Sequence, residues 1–185
     1  HSAYGFVGEI RHDEAGTPYL KAHAVTNIAW NEETRRVYAE NAAQGLEFRN
    51  LDTLFGAVIT SGEPVIANDP ATDPRRGGRP EGHPPLRCFL GVPLHAGQDM
   101  VGLMGVANRP GGYDEAIVSF LEPLTNACGS VIAAIQADAQ QAAVEAELRA
   151  TVGRLNAAER HAHLGSWEAD IATDEMIASD EALDI

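Results

Sequence analysis

One stretch gathers the side chains best suited to holding a ligand. Asn68–Pro85, NDPATDPRRGGRPEGHPP, supplies Asn68, Asp69, Asp73, Arg75, Arg76, Arg79 and His83 among prolines and glycines, with no aromatic and no large aliphatic residue. Arginines set near glycines could clamp an anion, because the planar guanidinium meets a carboxylate or phosphate with two parallel hydrogen bonds. The plainer alternative is that Arg75 and Arg76 pair with Asp69, Asp73 or Glu81 and hold the loop together. A second group could line a concave apolar pocket: Tyr4, Phe6, Gly8, Thr26, Asn27, Trp30, Phe89, Met104 and Val106. For any one of these an ordinary core position is the simpler reading. Cys88 and Cys128 lie far apart in apolar contexts, with neither zinc spacing nor a disulfide framework. No nucleophile–base constellation, phosphate loop or metal cluster is visible.

The elements that must position these residues centre on Leu86–Glu115. Two apolar runs, Leu86–Leu94 and Met100–Ala107, flank Ala96-Gly97-Gln98-Asp99, which is a hairpin signal. Both runs are apolar on both faces, so they belong in the middle of a sheet covered on both sides. Gly102 and Gly105 leave room for a close neighbour, a packed helix or a ligand. Asn108-Arg109-Pro110-Gly111-Gly112 forces a turn, and Asp114 can cap a helix.

Before this hairpin, strands are predicted over Ala3–Arg11 and Tyr19–Val25, joined by the Asp13–Pro18 turn. A helix capped by Asn31 should run to about Ala42. Gly45–Asn50 reads as a connector, Asp52–Ser61 as a helix stopped by Gly62, and Pro64–Ala67 as a short edge strand. After it the chain turns helical. Ile117, Phe120, Leu121 and Leu124, continued by Cys128, Val131 and Ile135, mark a stripe to pack on the sheet, with Pro123 expected to kink or interrupt it. A further seam, Val144, Leu148, Thr151, Leu155, Ala158 and Ala162, keeps helical spacing through an alanine-rich segment. So long a helix needs a partner, and a parallel dimeric coiled coil is the economical one; the alternative is a single helix folded back on its own domain.

Composition sets the outer bounds. With 44% hydrophobic residues, the 185 residues suit one full domain plus a partial one. The 27 acidic against 13 basic residues, net −14, argue against nucleic acid as partner. No apolar run approaches a membrane span of roughly 20 residues, so no membrane contact by this segment is expected, and cysteine usage fits a reducing cytoplasm. The chain opens at His1-Ser2, without an initiator Met, and reads as a fragment whose full-length parent could be anchored in a membrane elsewhere.

The order FLGVPL, turn, VGLMGVANRPGGYDEA and apolar helix resembles the C-terminal half of a GAF domain, the small-molecule and cofactor sensor module of signalling proteins. The resemblance covers most of residues 1–135. It implies an α+β fold: a central antiparallel sheet with helices on both faces, then a long C-terminal linker helix. It also implies that Asn68–Pro85 covers the ligand pocket. The ligand-binding set that follows is Tyr4, Phe6, Asn27, Trp30, Asn68, Asp69, Arg75, Arg76, His83, Phe89 and Asn108, with no catalytic and no metal residue.

Asn108-Arg109 with Tyr113-Asp114-Glu115 is similar to the Asn-Lys…Phe…Asp-Glu signature of cyclic-nucleotide-binding GAF domains, but Arg stands for Lys, Tyr for Phe, and the spacer is missing, which counts against cyclic nucleotides. A covalent bilin is disfavoured because Cys88 is followed by Phe89 and Cys128 by Gly129 rather than by His. Haem is disfavoured too, since His23 and His83 are the only placed candidates for an inward ligand. The cysteine count disfavours the family's methionine-sulfoxide reductase activity.

Ala158–Ile185, with HLGSWEADI, a turn and MIASDEAL, resembles the start of a PAS domain, with strands at Ser166–Asp170 and Met176–Ala178. The implied organisation is a sensor domain over 1–135, a helical linker over 136–160 and a truncated PAS start over 161–185. The implied function is the sensory domain of a bacterial signal-transduction protein, a sensor histidine kinase by preference. It would bind a small molecule and act as a homodimer through the C-terminal helix. The alternatives are the input domain of a diguanylate cyclase and a ligand-free dimerisation or spacing module.

Overall fold

The structure, a computed structural model, describes residues 1–26, 46–77, 85–162, 167–170, 175–178 and 182. The expected helix from Asn31 to Ala42, together with Asn27, Trp30 and His83, lies outside the described residues. Two compact units divide the chain, His1–Ile135 and Gln136–Ile185.

The first unit is built on a six-stranded sheet with every pairing antiparallel. Its strands are β1 (Tyr4–His12), β2 (Pro18–Val25), β3 (Leu46–Phe48), β4 (Val65–Ala67), β5 (Phe89–Ala96) and β6 (Asp99–Ala107). Their order across the sheet is β3-β2-β1-β6-β5-β4. β4 is therefore an edge strand, as its proline-led, three-residue sequence requires. β3 was expected to be irregular. It pairs Leu20 with Phe48 and Ala22 with Leu46, because the apolar Leu46 and Phe48 alternate around Glu47 and extend the sheet edge. Gly97, with φ 64°, opens the two-residue turn between Ala96 and Asp99, the position where such turns favour glycine.

Helix α1 (Leu54–Ser61) starts at Thr53, whose hydroxyl accepts the Gly56 N–H at 3.0 Å. It ends at Gly62, whose left-handed φ of 72° lets its N–H reach the Val58 carbonyl. The helix packs one face of the sheet through Leu54 and Val58, against Leu20, Val65, Ala67, Phe89 and Leu103. Phe6, Phe48 and Phe55 join this cluster at its margin, with ring centroids 6.5 Å and 5.9 Å apart in sequence.

Helix α2 begins at Glu115, where the Asp114 carboxylate accepts the Ile117 N–H at 3.0 Å, and continues to Ala162. Its first part covers the opposite face of the sheet, through Ile117, Val118 and Leu121 against Cys88, Leu90, Val92 and Tyr113, and through Cys128 and Ile132 against Leu94 and Met104. Gly129 permits the closest approach, since a Cβ there would meet the His95 backbone. Gly105 faces the other way, and a Cβ there would enter the Phe6 ring. The neighbours for which the strand glycines leave room are protein atoms.

Of the two outcomes expected at Pro123, an interruption does not occur: α2 runs through it. Pro123 and Ser119, whose carbonyl loses its partner, are both exposed, so water can serve the orphan acceptor. Nor do the apolar residues form one stripe. Adjacent helical positions diverge by about 100°, so Leu121 faces the sheet while Phe120 is 78% exposed, with Leu124, Val131 and Ile135 also exposed. By length and composition alone α2 could cross a membrane, and 17% of its apolar stretch is buried.

The second unit holds the rest of α2, on which Val144, Leu148, Val152 and Leu155 are all exposed, and a two-stranded sheet. β7 (Trp167–Asp170) pairs antiparallel with β8 (Glu175–Ala178), and Trp167 is 70% exposed.

Candidate functional site

The residues singled out from the sequence fall into three places. Phe6 and Phe89 belong to the α1-side core, and Tyr4 is half-buried on β1 opposite Ala107. Met104 and Val106 were grouped with them, yet strand alternation sends both to the α2 side.

The described part of the loop, residues 68–77, is braced by its own side chains. Asp69 accepts the Thr72 hydroxyl at 2.8 Å and the Ala71 N–H at 3.3 Å. Arg75 binds Asp73 through Nε and Nη2, at 2.9 and 2.7 Å, and donates to the Ile66 carbonyl at 3.1 Å. Arg76 donates to the Ala71 carbonyl. The Arg75 guanidinium holds the Asp73 carboxyl below the usual range, chiefly by its side-chain hydrogen bond.

Asn68 and Asn108 come together at the third place, where the ends of β4, β5 and β6 meet the turn before α2. A cavity of about 460 Å³ opens there, lined by both asparagines, Arg87, Cys88, Arg109 and the Pro110-Gly111-Gly112 turn. Each asparagine acts as a backbone clamp. Asn68 Nδ2 donates to the Tyr113 carbonyl at 2.9 Å and its Oδ1 accepts the Tyr113 N–H at 2.8 Å. Asn108 Oδ1 accepts the Arg87 N–H at 2.7 Å and its Nδ2 donates to the Pro85 carbonyl at 2.9 Å. Asn108 is buried and takes a left-handed φ of 59°, a conformation asparagine tolerates better than most residues. Arg109 Nη1 donates to the Gly112 carbonyl at 2.7 Å, and the Cys88 thiol donates to the Arg109 carbonyl at 3.3 Å. Tyr113, buried beside this wall, shares a 2.8 Å hydrogen bond with the Ser2 hydroxyl, and burial pushes its phenol up.

Sequence reasoning missed Arg87 and Arg109 as partners in one cavity. No sequence pattern marked them, because both lie beyond the last ladder pair, Phe89–Ala107. It also missed Glu9, fully buried on β1, with Arg11 Nε at 2.6 Å and His23 Nε2 at 3.4 Å. His23 sits at the β-bulge where the β1–β2 register shifts, which turns it toward Glu9. Among the described residues no cluster of histidine, cysteine and carboxylates has the makings of a metal site.

An antiparallel sheet with α1 on one face and α2 on the other, and a polar cavity at the start of α2, defines an α+β domain of the small sensor type. The chain belongs to the GAF domain family, whose family model matches residues 1–133. It is 32% identical over 106 residues to the methyl sulfide methyltransferase-associated sensor of Methanosarcina acetivorans, across 57% of this chain and 10% of that protein. The chain thus spans about a tenth of the length of that curated relative. Among solved structures, the GAF domain of a phosphoenolpyruvate-protein phosphotransferase from Coxiella burnetii superposes with a TM-score of 0.59 at 18% identity, covering 75% of this chain and 76% of that one. The GAF domain of a two-component sensor histidine kinase from Bacillus halodurans gives 0.52 at 14% identity, over 75% and 86%. These likenesses establish the fold. GAF domains are generally non-catalytic sensory modules, and this one is homologous to the GAF region of a sensor.

Proposed function

We propose that this GAF domain binds a small molecule in the Asn68–Asn108 cavity and passes its occupancy to α2. The observation that carries the reading is the Asn68–Tyr113 clamp. The same side chain lines the cavity and holds, by two hydrogen bonds, the residue just before the Asp114 cap of α2. A ligand that alters this clamp acts on the helix start, and it shifts the helix only by as much as it prefers one of two states.

In this reading the domain sits in the cytoplasm as the input of a bacterial signal-transduction protein, by preference a sensor histidine kinase and otherwise a diguanylate cyclase. The hairpin of β7 and β8 is the opening of a PAS domain, and α2 is the linker between the two. Two copies pair in parallel along α2, which would cover Phe120, Leu124, Val131, Val144, Leu148 and Leu155. Nucleic acid is not a partner. A ligand-free spacing module is the second reading, favoured by the filled aromatic cluster of Phe6, Phe48 and Phe55 and the self-braced loop.

Hydrogen exchange at amides 113–121 tests the sensory reading. The chain as purified is compared with the same chain unfolded, dialysed and refolded, which strips a noncovalent ligand. Slower exchange before stripping is the expected result. Identical exchange with ligand mass demonstrably lost would break the link between cavity and helix.

A further inference from the structure

We infer that the cavity between the β5–β6 strand ends and the Pro110–Gly112 turn is an oxyanion site, gripped by Arg87 and Arg109. The inference deepens the sensory reading, on which it rests for its purpose, by naming the class of ligand.

Both arginines line the same cavity, just beyond the end of the β5–β6 ladder, where the Asn108 N–H donates to the Cys88 carbonyl at 3.0 Å. Two like charges sharing one cavity repel unless something near them carries the opposite sign. Among the described residues lining the cavity there is no carboxylate. This stands out in a chain with 27 acidic and 13 basic residues. Elsewhere among the described residues Arg11, Arg49, Arg75 and Arg149 each pair with a carboxylate. Arg109 spends one N–H on the Gly112 carbonyl, and the Arg87 side chain has no described partner.

The remaining polar groups narrow the chemistry further. Each asparagine side chain spends one donor and one acceptor on backbone groups, which fixes its orientation. The charged groups of the lining are the two guanidinium groups, which can only donate. The complementary ligand is rich in acceptors and negatively charged, a carboxylate or a phosphate, and two guanidinium forks suit either. A volume of about 460 Å³ falls in the range of small-molecule sites and leaves room for an organic body behind the anionic group.

Calorimetric titration of the whole chain with sodium phosphate and, separately, sodium malonate, at low chloride, tests the site. Saturable binding of one or both is expected, and the preferred anion tells a phosphate ester from a carboxylate. Arg87→Gln and Arg109→Gln should each weaken that binding about tenfold or more, the effect of one lost charge-assisted hydrogen bond. Arg154→Gln, on the exposed flank of α2, should leave it unchanged. Circular dichroism must show the variants folded; if one is not, the same arginine replaced by Lys, which keeps charge but loses the fork, supplies the comparison. Absence of binding by both anions, or binding indifferent to Arg87 and Arg109, overturns the inference. A neutral ligand found on the purified chain would sink the oxyanion site and leave the sensory reading standing. Anion binding without any change in exchange at 113–121 would do the reverse.

Discussion

Asn108 offers the sharpest test of how the cavity is built. Replacing it with Gly removes two hydrogen bonds, to the Arg87 N–H and the Pro85 carbonyl, but keeps the left-handed backbone. At about 1 kcal/mol net for each bond, with more if the orphaned partners stay dry, Asn108→Gly should cost roughly 2 kcal/mol. Asn108→Ala loses the same bonds and must also hold a Cβ at φ 59°, which costs roughly 1–2 kcal/mol. Its stiffer unfolded chain returns roughly 0.4–1 kcal/mol of that. Alanine should therefore be the worse substitution, by about 0.5–1 kcal/mol. Asn108→Asp keeps the acceptor for the Arg87 N–H but sets a buried carboxylate oxygen against the Pro85 carbonyl, two acceptors facing each other, so it should not restore the parent's stability. Urea unfolding of the full chain, followed by circular dichroism, reads these differences as midpoint shifts at constant slope. A loss below about 0.5 kcal/mol for Asn108→Ala would show that the clamp does not hold the strand ends, and the reasoning would fail.

Other consequences follow from the packing and charge. Gly105→Ala should destabilise by roughly 1–3 kcal/mol, because the added methyl enters the Phe6 ring, and a smaller second substitution, Phe6→Leu, should recover part of the loss in the same unfolding assay. Asp73 has its pKa lowered chiefly by the Arg75 hydrogen bond, so the stability it contributes is full above the ordinary carboxylate range and is lost as pH falls through its depressed value. NMR titration should show the Asp73 midpoint rising toward the ordinary range in Arg75→Ala. Leu148→Glu with Leu155→Glu should convert the proposed dimer to monomer by light scattering, while the β1–β6 sheet signals remain.

The fold was legible where pattern and punctuation agreed. The central hairpin was legible because both its runs were apolar on both faces, and Gly62 marked the end of α1, whose start was read two residues early at Asp52. β3 escaped because three residues carry too little periodicity to be told from a connector, and only pairing with β2 makes them a strand. The single stripe read along α2 merged two faces, since Phe120 and Leu121 are adjacent in sequence but a quarter-turn apart on the helix. At the candidate site, Asn68 and Asn108 could be picked out as polar residues beside turns. Their roles as clamps depend on Tyr113 and Pro85, which lie 45 and 23 residues away. Arg87 and Arg109 stand 22 positions apart beyond the ends of the β5–β6 ladder, and only the folded chain brings them to one cavity.

The central claim is that a small molecule occupies this domain, and native mass spectrometry of the purified chain tests it most directly. The same sample is then measured after denaturation. The account predicts extra noncovalent mass that disappears on unfolding, with a residual mass suited to a small anionic compound. A chain of bare mass under gentle conditions, unchanged by added phosphate or malonate, would contradict it and leave the spacing module as the better description.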